Sequence, residues 1–422
     1  MSKKIAVIIL AAGKSTRMKS DTPKVLHPIC GRPMLGYVMD IVKSLKAQKT
    51  IAVLGYKYQQ VKKDLPAAVK VVLQKRLLGT ADAVKSALAA LGNFSGTILV
   101  LYGDTPLLKI STVKDLLKRH CDNHADATLL TARLDQPAGY GRILRDEYGS
   151  VSGIVEESDA DDFQKDIKEI NTGIICFNSK VLARALKKVK ANRKNKEYYL
   201  TDTVSVIYKN SGAVYNLNAA NSQEAIGINS RLDLARANHL MQRRINEEIM
   251  QGGVTVVDTD TTFIDYGAQI GPDTTIYPFT AIERDVKIGK CCRVGPFAHL
   301  RAGSRLADKV TIGNFTELVR THIGAGTLMK HFSYLGDSRV GKNVNIGAGT
   351  VTANFDGKNK HTSIIKDGAL VGSDTVLIAP VEIGRGAKTG AGAVVTKNTR
   401  ISDYSVVAGV PARTIKKSGK RR

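Results

Sequence analysis

Residues 269–319 read QIGPDTTIYPFTAIERDVKIGKCCRVGPFAHLRAGSRLADKVTIGNFTELV. An aliphatic side chain returns at every sixth position: Ile270, Ile276, Ile282, Ile288, Val294, Leu300, Leu306, Ile312 and Leu318. Glycine often follows it, as at Gly271, Gly289, Gly295 and Gly313, and a small residue often sits four positions on. A period of six fits neither the 3.6 of a helix nor the 2 of a half-buried strand. It fits a prism whose flat sides each turn one aliphatic inward and whose corners need small residues. Three hexads close a turn, and stacked turns make a continuous core, as in a left-handed parallel β-helix. The period resumes after an interruption at Val340 and Ile346, then in another register at Ile365, Val371, Leu377, Ile383, Val395, Ile401 and Val407. Residues 350–362, with Asn354-Phe-Asp-Gly357, read as a loop projecting from the coil.

Upstream the pattern changes. Ile5–Leu10, Ile51–Leu54, Ile98–Leu101, Thr128–Thr131 and Ile174–Phe177 are apolar or nearly so and alternate with helix-like segments. Strands buried on both faces read this way, which predicts an α/β, Rossmann-like domain with a parallel-rich sheet and loops for ligands at the strands' carboxyl ends. Leu234, Ala237, Met241, Ile245 and Ile249 recur every three or four residues, a helical stripe that Gly252-Gly253 should end. The expected division is 1–228 for the α/β domain, 229–252 for a helical linker, 253–412 for the β-helix and 413–422 for a disordered basic tail.

Composition narrows the function classes. The 422 residues suit two or three domains, and with no Trp and 5% aromatics the cores must be aliphatic. Sixty-three Lys and Arg against 38 Asp and Glu give +25, a balance suited to anionic small molecules. The cations are dispersed and not interleaved with aromatics, which argues against a nucleic-acid partner. Cys30, Cys121, Cys176, Cys291 and Cys292 show no metal-ligand spacing and are odd in number, so free thiols in a reducing compartment are expected. The apolar run from Ile5 to Ala12 is too short to span a bilayer, and a cytoplasmic chain without a membrane span follows.

The richest chemistry lies after the first strand, in Leu10-Ala11-Ala12-Gly13-Lys-Ser-Thr-Arg17-Met18, with Pro23-Lys24 beyond. A strand ending in a tight glycine loop presents backbone N–H groups to an anion, and Arg17 and Lys24 add cations for a triphosphate. Tyr102-Gly103-Asp104 ends another apolar strand, placing a carboxylate to hold Mg²⁺ against phosphates.

This loop resembles that of sugar-nucleotide pyrophosphorylases. Together with the hexads, from about Ile5 to about Pro411, the chain resembles the bacterial bifunctional N-acetylglucosamine-1-phosphate uridyltransferase / glucosamine-1-phosphate acetyltransferase family. The resemblance implies acetyl transfer from acetyl-CoA to glucosamine-1-phosphate, then uridylyl transfer from UTP to give UDP-N-acetylglucosamine, by a homotrimer. It implies uracil reading by Gln74 and Gly79-Thr80, sugar contacts from Gly139-Tyr-Gly141-Arg142, Glu156 and Asn171, and Asn229 as a second magnesium ligand beside Asp104. It makes His331, in His331-Phe-Ser-Tyr334-Leu-Gly-Asp, the base of acetyl transfer, with Glu317 near enough to orient its ring. Arg301, Asn345, Ala348, Asn354, Ser373 and Ala391 fall at its substrate and coenzyme A positions, a backbone N–H near Ala348 being suited to an oxyanion.

Four positions depart from that pattern. Val319 replaces a phosphate-binding Lys, Phe355 a Tyr, and Gly409 lies where an Arg is usual near coenzyme A, although Arg413 follows; Asp82 stands where His is more frequent. The first three fall in the acetyltransferase half. Three rivals therefore stand beside the bifunctional reading: a uridylyltransferase with the coil as trimerisation scaffold, a non-catalytic regulatory subunit, and a nucleic-acid binder acting through +25.

Overall fold

The computed structural model describes residues 4–14 and 16–416. The chain forms two compact units that divide between Asn238 and His239.

The first unit is a mixed sheet covered by helices. Its strands are β1 (Ile5–Ala11), β2 (Lys49–Leu54), β3 (Lys70–Leu73), β4 (Thr97–Tyr102), β5 (Ala127–Arg133), β6 (Arg142–Arg145), β7 (Val151–Val155), β8 (Glu169–Asn178) and β9 (Val214–Asn218). The order is β9-β5-β8-β4-β1-β2-β3, with the β6–β7 hairpin attached to β8. All pairings along this path are parallel except those of β8, which runs antiparallel to β4 and β5.

The apolar runs are explained by burial on both faces. Ala6, Ile8 and Leu10 of β1 enter one core with α2 (Thr80–Leu91), while Val7 and Ile9 enter the other with α1 (Met34–Leu45) and α3 (Ile110–Asp122). The chain leaves β1 towards β2 and β3 on one side, whereas β4 lies on the other. Loops at the carboxyl ends of β1 and β4 therefore diverge, which opens a crevice at the switch point.

Helix α4 (Arg231–Gln251) starts from Ser230, whose hydroxyl accepts from Asp233 N while the Asp233 carboxylate accepts from Ser230 N, a reciprocal cap. It ends where expected, with Gly253 at φ +88°. The boundary between the units falls inside this helix.

The second unit is a coil of three parallel sheets built from strands of two to four residues. The Nε2 of Gln242 and Nδ2 of Asn246 both donate to the Thr262 carbonyl beside the first turns. Every aliphatic of the expected periodic series is buried except the first, Ile270, which is half-buried.

Three expectations need correction. The coil does not break between Leu318 and Val340: Ile323, Met329 and Leu335 are buried and continue the core. Two sides are simply one residue short, and their corners are made by Arg320 and Asp337, both with positive φ. Thr352 and Thr389 fill inward positions that an aliphatic scan passes over, their hydroxyls accepting from Gly336 N at 2.7 Å and Gly372 N at 2.8 Å. The tail does not begin at residue 413, because Arg413–Lys416 pairs antiparallel with Val406–Ala408; the cluster Lys417, Lys420, Arg421 and Arg422 lies outside the described residues. The projecting loop does occur, between Ala353 and Ser363.

No described helix is long and apolar enough to cross a membrane. None of the five cysteines is joined in a disulfide.

Candidate active site

A cavity of about 490 Å³ opens at the carboxyl ends of β1 and β4. Its floor is Leu10, Ala11, Ala12 and Gly13, the segment that leaves β1. Gln74, Gly79, Thr80, Lys24, Tyr102, Asp104 and Asn229 line it as well. The Gly103 amide donates to Leu10 O at 3.0 Å, which ties the two strand ends together. Lys14 of the same loop also lines the cavity, as do Tyr56 and Glu197, which nothing in their local sequence marked. Arg17 is exposed and does not line it.

The densest polar contact joins segments far apart in sequence. The Lys24 ammonium donates to the Asp104 carboxylate and, at 2.9 Å, to Asn229 Oδ1. Ile228 N donates to Asp104 O at 3.1 Å, which holds the Asn229 loop against the end of β4. The Asp104 carboxylate and Asn229 amide oxygen are hard donors of the kind Mg²⁺ prefers, and one cation already sits between them. Among the described residues no group of three or more His, Cys, Asp or Glu gathers as a metal cluster. A site with one carboxylate suits an ion that also takes oxygens from substrate phosphates.

Gly141, Glu156 and Asn171 lie outside the lining of this cavity but near one another. Asn171 N donates to Gly141 O at 2.8 Å, and a Cβ on Gly141 would stand 3.4 Å from Glu156 Oε2. Thr201 Oγ1 donates to Glu156 Oε1 at 2.7 Å. Burial pushes the Glu156 carboxyl up, and burial together with the charges of Glu156 and Asp104 pushes the Tyr102 phenol well up. Tyr102 thus stands between the two groups of residues. The side chain of Arg142 is buried and paired with Glu157 at 2.7 Å, a structural role inside the β6 hairpin.

In the coil, the acetyltransferase candidates follow the register. Leu328, Asn345, Leu370, Lys388 and Val406 are successive partners in one sheet. Three residues on from each come His331, Ala348, Ser373, Ala391 and Gly409, so these five stack at one corner, one per turn. At about 4.8 Å per turn the column is roughly 19 Å long. His331, Ser373, Ala391 and Gly409 are exposed and Ala348 is half-buried.

Beside the column, Glu317 pairs in register with His299 below and Tyr334 above. The Glu317 carboxylate accepts from Arg301 Nη1 at 3.1 Å, and the structure does not pair it with His331. Arg301 also reaches Glu283, which accepts from His299 at 3.0 Å and from Ala302 N at 3.0 Å. Val319 is only 5% exposed. Its neighbour Arg320 is held by both oxygens of Asp337, at 2.6 and 2.8 Å. Asp337 also accepts from Asn354 Nδ2 at 2.6 Å, and Tyr334 Oη lies 3.5 Å from Asn354 Oδ1. Phe355 is exposed at the start of the projecting loop. Sequence reasoning missed the Arg320–Asp337 pair and the Glu283–His299 pair; the signal was opposite charge or its equivalent 16 or 17 residues apart, one turn of the coil.

Comparison with known proteins agrees with this layout. Residues 7–169 match the MobA-like NTP transferase domain family, and residues 267–302 and 362–397 match the bacterial transferase hexapeptide family (six repeats). The chain is 44% identical to a "Bifunctional protein GlmU" of Geobacillus thermodenitrificans, with 94% of this chain and 93% of that protein aligned. It is 45% identical to a protein of the same name from Pelotomaculum thermopropionicum, with 90% of each covered. It is 41% identical to one from Listeria monocytogenes, with 94% of each covered. A cavity at the switch point of a nucleotidyltransferase sheet, joined in one chain to a hexapeptide coil and matched over nearly its whole length, identifies this chain as a member of the bifunctional GlmU family.

Proposed function

We propose that the two units catalyse two successive transfers: acetyl from acetyl-CoA to glucosamine-1-phosphate on the coil, then uridylyl from UTP to N-acetylglucosamine-1-phosphate in the cavity. The observation that carries the second reaction is the convergence of Lys24, Asp104 and Asn229 on a cavity floored by the Leu10–Gly13 loop. In that reaction a phosphate oxygen of the sugar attacks the α-phosphorus in line and pyrophosphate leaves. The protein contributes position and charge. Loop amides and Lys24 hold the triphosphate, with Arg17 at the exposed edge; Gln74 and Gly79-Thr80 take the base; Glu156, Asn171 and Gly141 take the sugar. Asp104 and Asn229 would hold Mg²⁺, which supplies neutralisation of phosphate charge.

For acetyl transfer, His331 takes a proton from the 2-ammonium group, and the freed amine attacks the thioester carbonyl; the C–S bond then breaks, and coenzyme A leaves as the thiol after taking up the proton the nitrogen sheds. The small residues Ala348, Ser373, Ala391 and Gly409 leave a groove along one corner for coenzyme A. The N–H near Ala348 suits the oxyanion. Arg301, Tyr334, Asn345 and Asn354 hold the phosphosugar, with Arg413 close to the end of the column.

The coil face is open rather than a cavity, and this supports assembly. Phe279, Phe297 and Phe315 are 54%, 45% and 61% exposed, and their rings stack at 4.9 and 5.1 Å on the three turns before the one that carries His331. Such an apolar ladder marks a contact surface, and a homotrimer completing the acetyl site between copies is our reading. Cytoplasmic residence belongs to the same reading, supported by five cysteines that form no disulfide.

One observation favours the coil as scaffold alone: position 319 offers no cation, and Arg301 is engaged by two carboxylates. Two assays decide. Magnesium-dependent release of pyrophosphate from UTP tests the cavity. Release of free thiol from acetyl-CoA, dependent on glucosamine-1-phosphate, tests the coil; none at saturating substrate would leave it a scaffold.

A further inference from the structure

The Gln74 side chain is buried, 6% exposed, and borders the cavity. Its Nε2 donates to Gly79 O at 3.1 Å and to Asp82 Oδ2 at 2.8 Å. A backbone carbonyl and a carboxylate only accept, so a flipped amide would set three oxygens against one another. Chemistry fixes the orientation, and both N–H bonds are used within the protein. The carbonyl oxygen remains as the group the amide can offer a ligand.

The partners are themselves held. Gly79 has φ +102°, and a Cβ there would stand 2.4 Å from Tyr198 O. Ala81 N donates to Tyr198 O at 2.9 Å, Tyr198 N to Leu78 O at 2.7 Å, and Leu200 N to Thr80 Oγ1 at 2.9 Å. Asp82 sits in the first turn of α2, where the helix N-terminus favours a carboxylate.

We infer that Asp82 is a positioning residue for base specificity. By holding the Gln74 amide with its carbonyl forward, it selects a nucleobase that presents a ring N–H, as uracil does at N3. It rejects one that presents a bare ring nitrogen, as cytosine does. This inference rests on the uridylyl reading of the cavity. A site built to accept a hydrogen bond discriminates because the wrong base leaves two acceptors facing each other. Without Asp82 only the Gly79 carbonyl still opposes a flip, so the amide rotates more readily, can offer N–H to cytosine N3, and loses part of that discrimination.

The test compares kcat/KM for UTP and for CTP, with N-acetylglucosamine-1-phosphate and Mg²⁺, in the parent, Asp82→Ala and Asp82→Asn. The UTP:CTP ratio should fall on the order of 10–100-fold in Asp82→Ala, with CTP turnover rising. Asp82→Asn should stay near the parent, since its amide oxygen still accepts from Gln74 Nε2. An unchanged ratio in Asp82→Ala, or equal losses for both nucleotides, would overturn the inference. So would Asp82→Asn behaving as Asp82→Ala does. A parent that discriminates while Asp82→Ala keeps the ratio leaves the uridylyl reading standing; a parent that turns over no UTP overturns that reading and the inference with it.

Discussion

Lys24, Asp104 and Asn229 meet across sequence separations of 80 and 205 residues, and the reaction assigned to the cavity depends on that meeting. Removing the carboxylate should therefore be selective. Asp104→Ala is expected to abolish uridylyl transfer while thiol release from acetyl-CoA persists. His331→Ala should slow acetyl transfer by roughly 10²–10⁴-fold and spare pyrophosphate release. Either substitution silencing both activities in folded protein would sink the division of labour. A second residue-scale expectation concerns Asp337, whose carboxyl is held below the usual range chiefly by its hydrogen bonds from Arg320. A depressed carboxylate contributes stability above its unfolded pKa of about 3.9, and that contribution fades as pH falls through the folded value. Arg320 is 42% exposed, so solvent screening limits the pair to about 0.5–1 kcal/mol. Arg320→Ala should thus lower the urea midpoint near neutral pH, the gap closing as acid protonates Asp337. A gap that widened towards acid would show that the pair is not its source. Single residues were also the least legible level: Tyr56 and Glu197 carry no local signature, because long-range folding alone brings them to the cavity.

At the scale of elements, the hexads make a direct demand on the coil. Ile288 is 5% exposed and stacks between Ile270 and Leu306 in register. Ile288→Asp would bury a carboxylate with no partner, a cost of several kcal/mol, and should lower the melting temperature of the second unit markedly. Unchanged melting would mean that the side chain does not face the core. This element was legible in the sequence because a six-residue repeat has one physical solution and nearly every turn repeats it. The misreading at 318–340 is equally physical. Corners at Arg320 and Asp337 close with one residue fewer, so the aliphatic spacing drops to five while the stacking continues. Inward Thr352 and Thr389 hid further turns, since a hydroxyl that bonds the neighbouring backbone can replace an aliphatic without leaving a polar group unpaired. In the first unit, apolar runs revealed the strands but not their direction: the Ile174–Phe177 run of β8 is apolar like β1, yet β8 runs antiparallel. Burial on both faces determines composition, whereas direction follows from the connections on either side.

For the whole molecule, the two proposed chemistries should respond differently to assembly. The cavity of the first unit is lined by residues of one chain, the Leu10–Gly13 loop, Lys24, Gln74, Asp104 and Asn229 among them. The acetyl residues instead line an exposed corner, where one coil offers a column and no enclosing wall. A transfer from coenzyme A to an amine on such a face needs a second surface to exclude water and orient the acceptor. The stacked Phe279, Phe297 and Phe315, on the three turns that lead up to that column, are the candidate contact. Phe297→Glu tests this, because the residue is 45% exposed in the single chain and its loss opens no interior cavity. The substituted chain should fold, yet three carboxylates brought against apolar rings should oppose association. Sedimentation is expected to show the parent as a trimer and the variant as smaller species. Acetyl transfer by the variant should fall on the order of 10-fold or more, as for an interface anchor, and should recover partly at high protein concentration. Pyrophosphate release from UTP should remain within about 2-fold of the parent, since surface changes away from a site are usually small in effect. If the variant dissociated but kept full acetyl transfer, each coil would hold a complete site. If it stayed trimeric, the aromatic ladder would not be the surface that joins the copies.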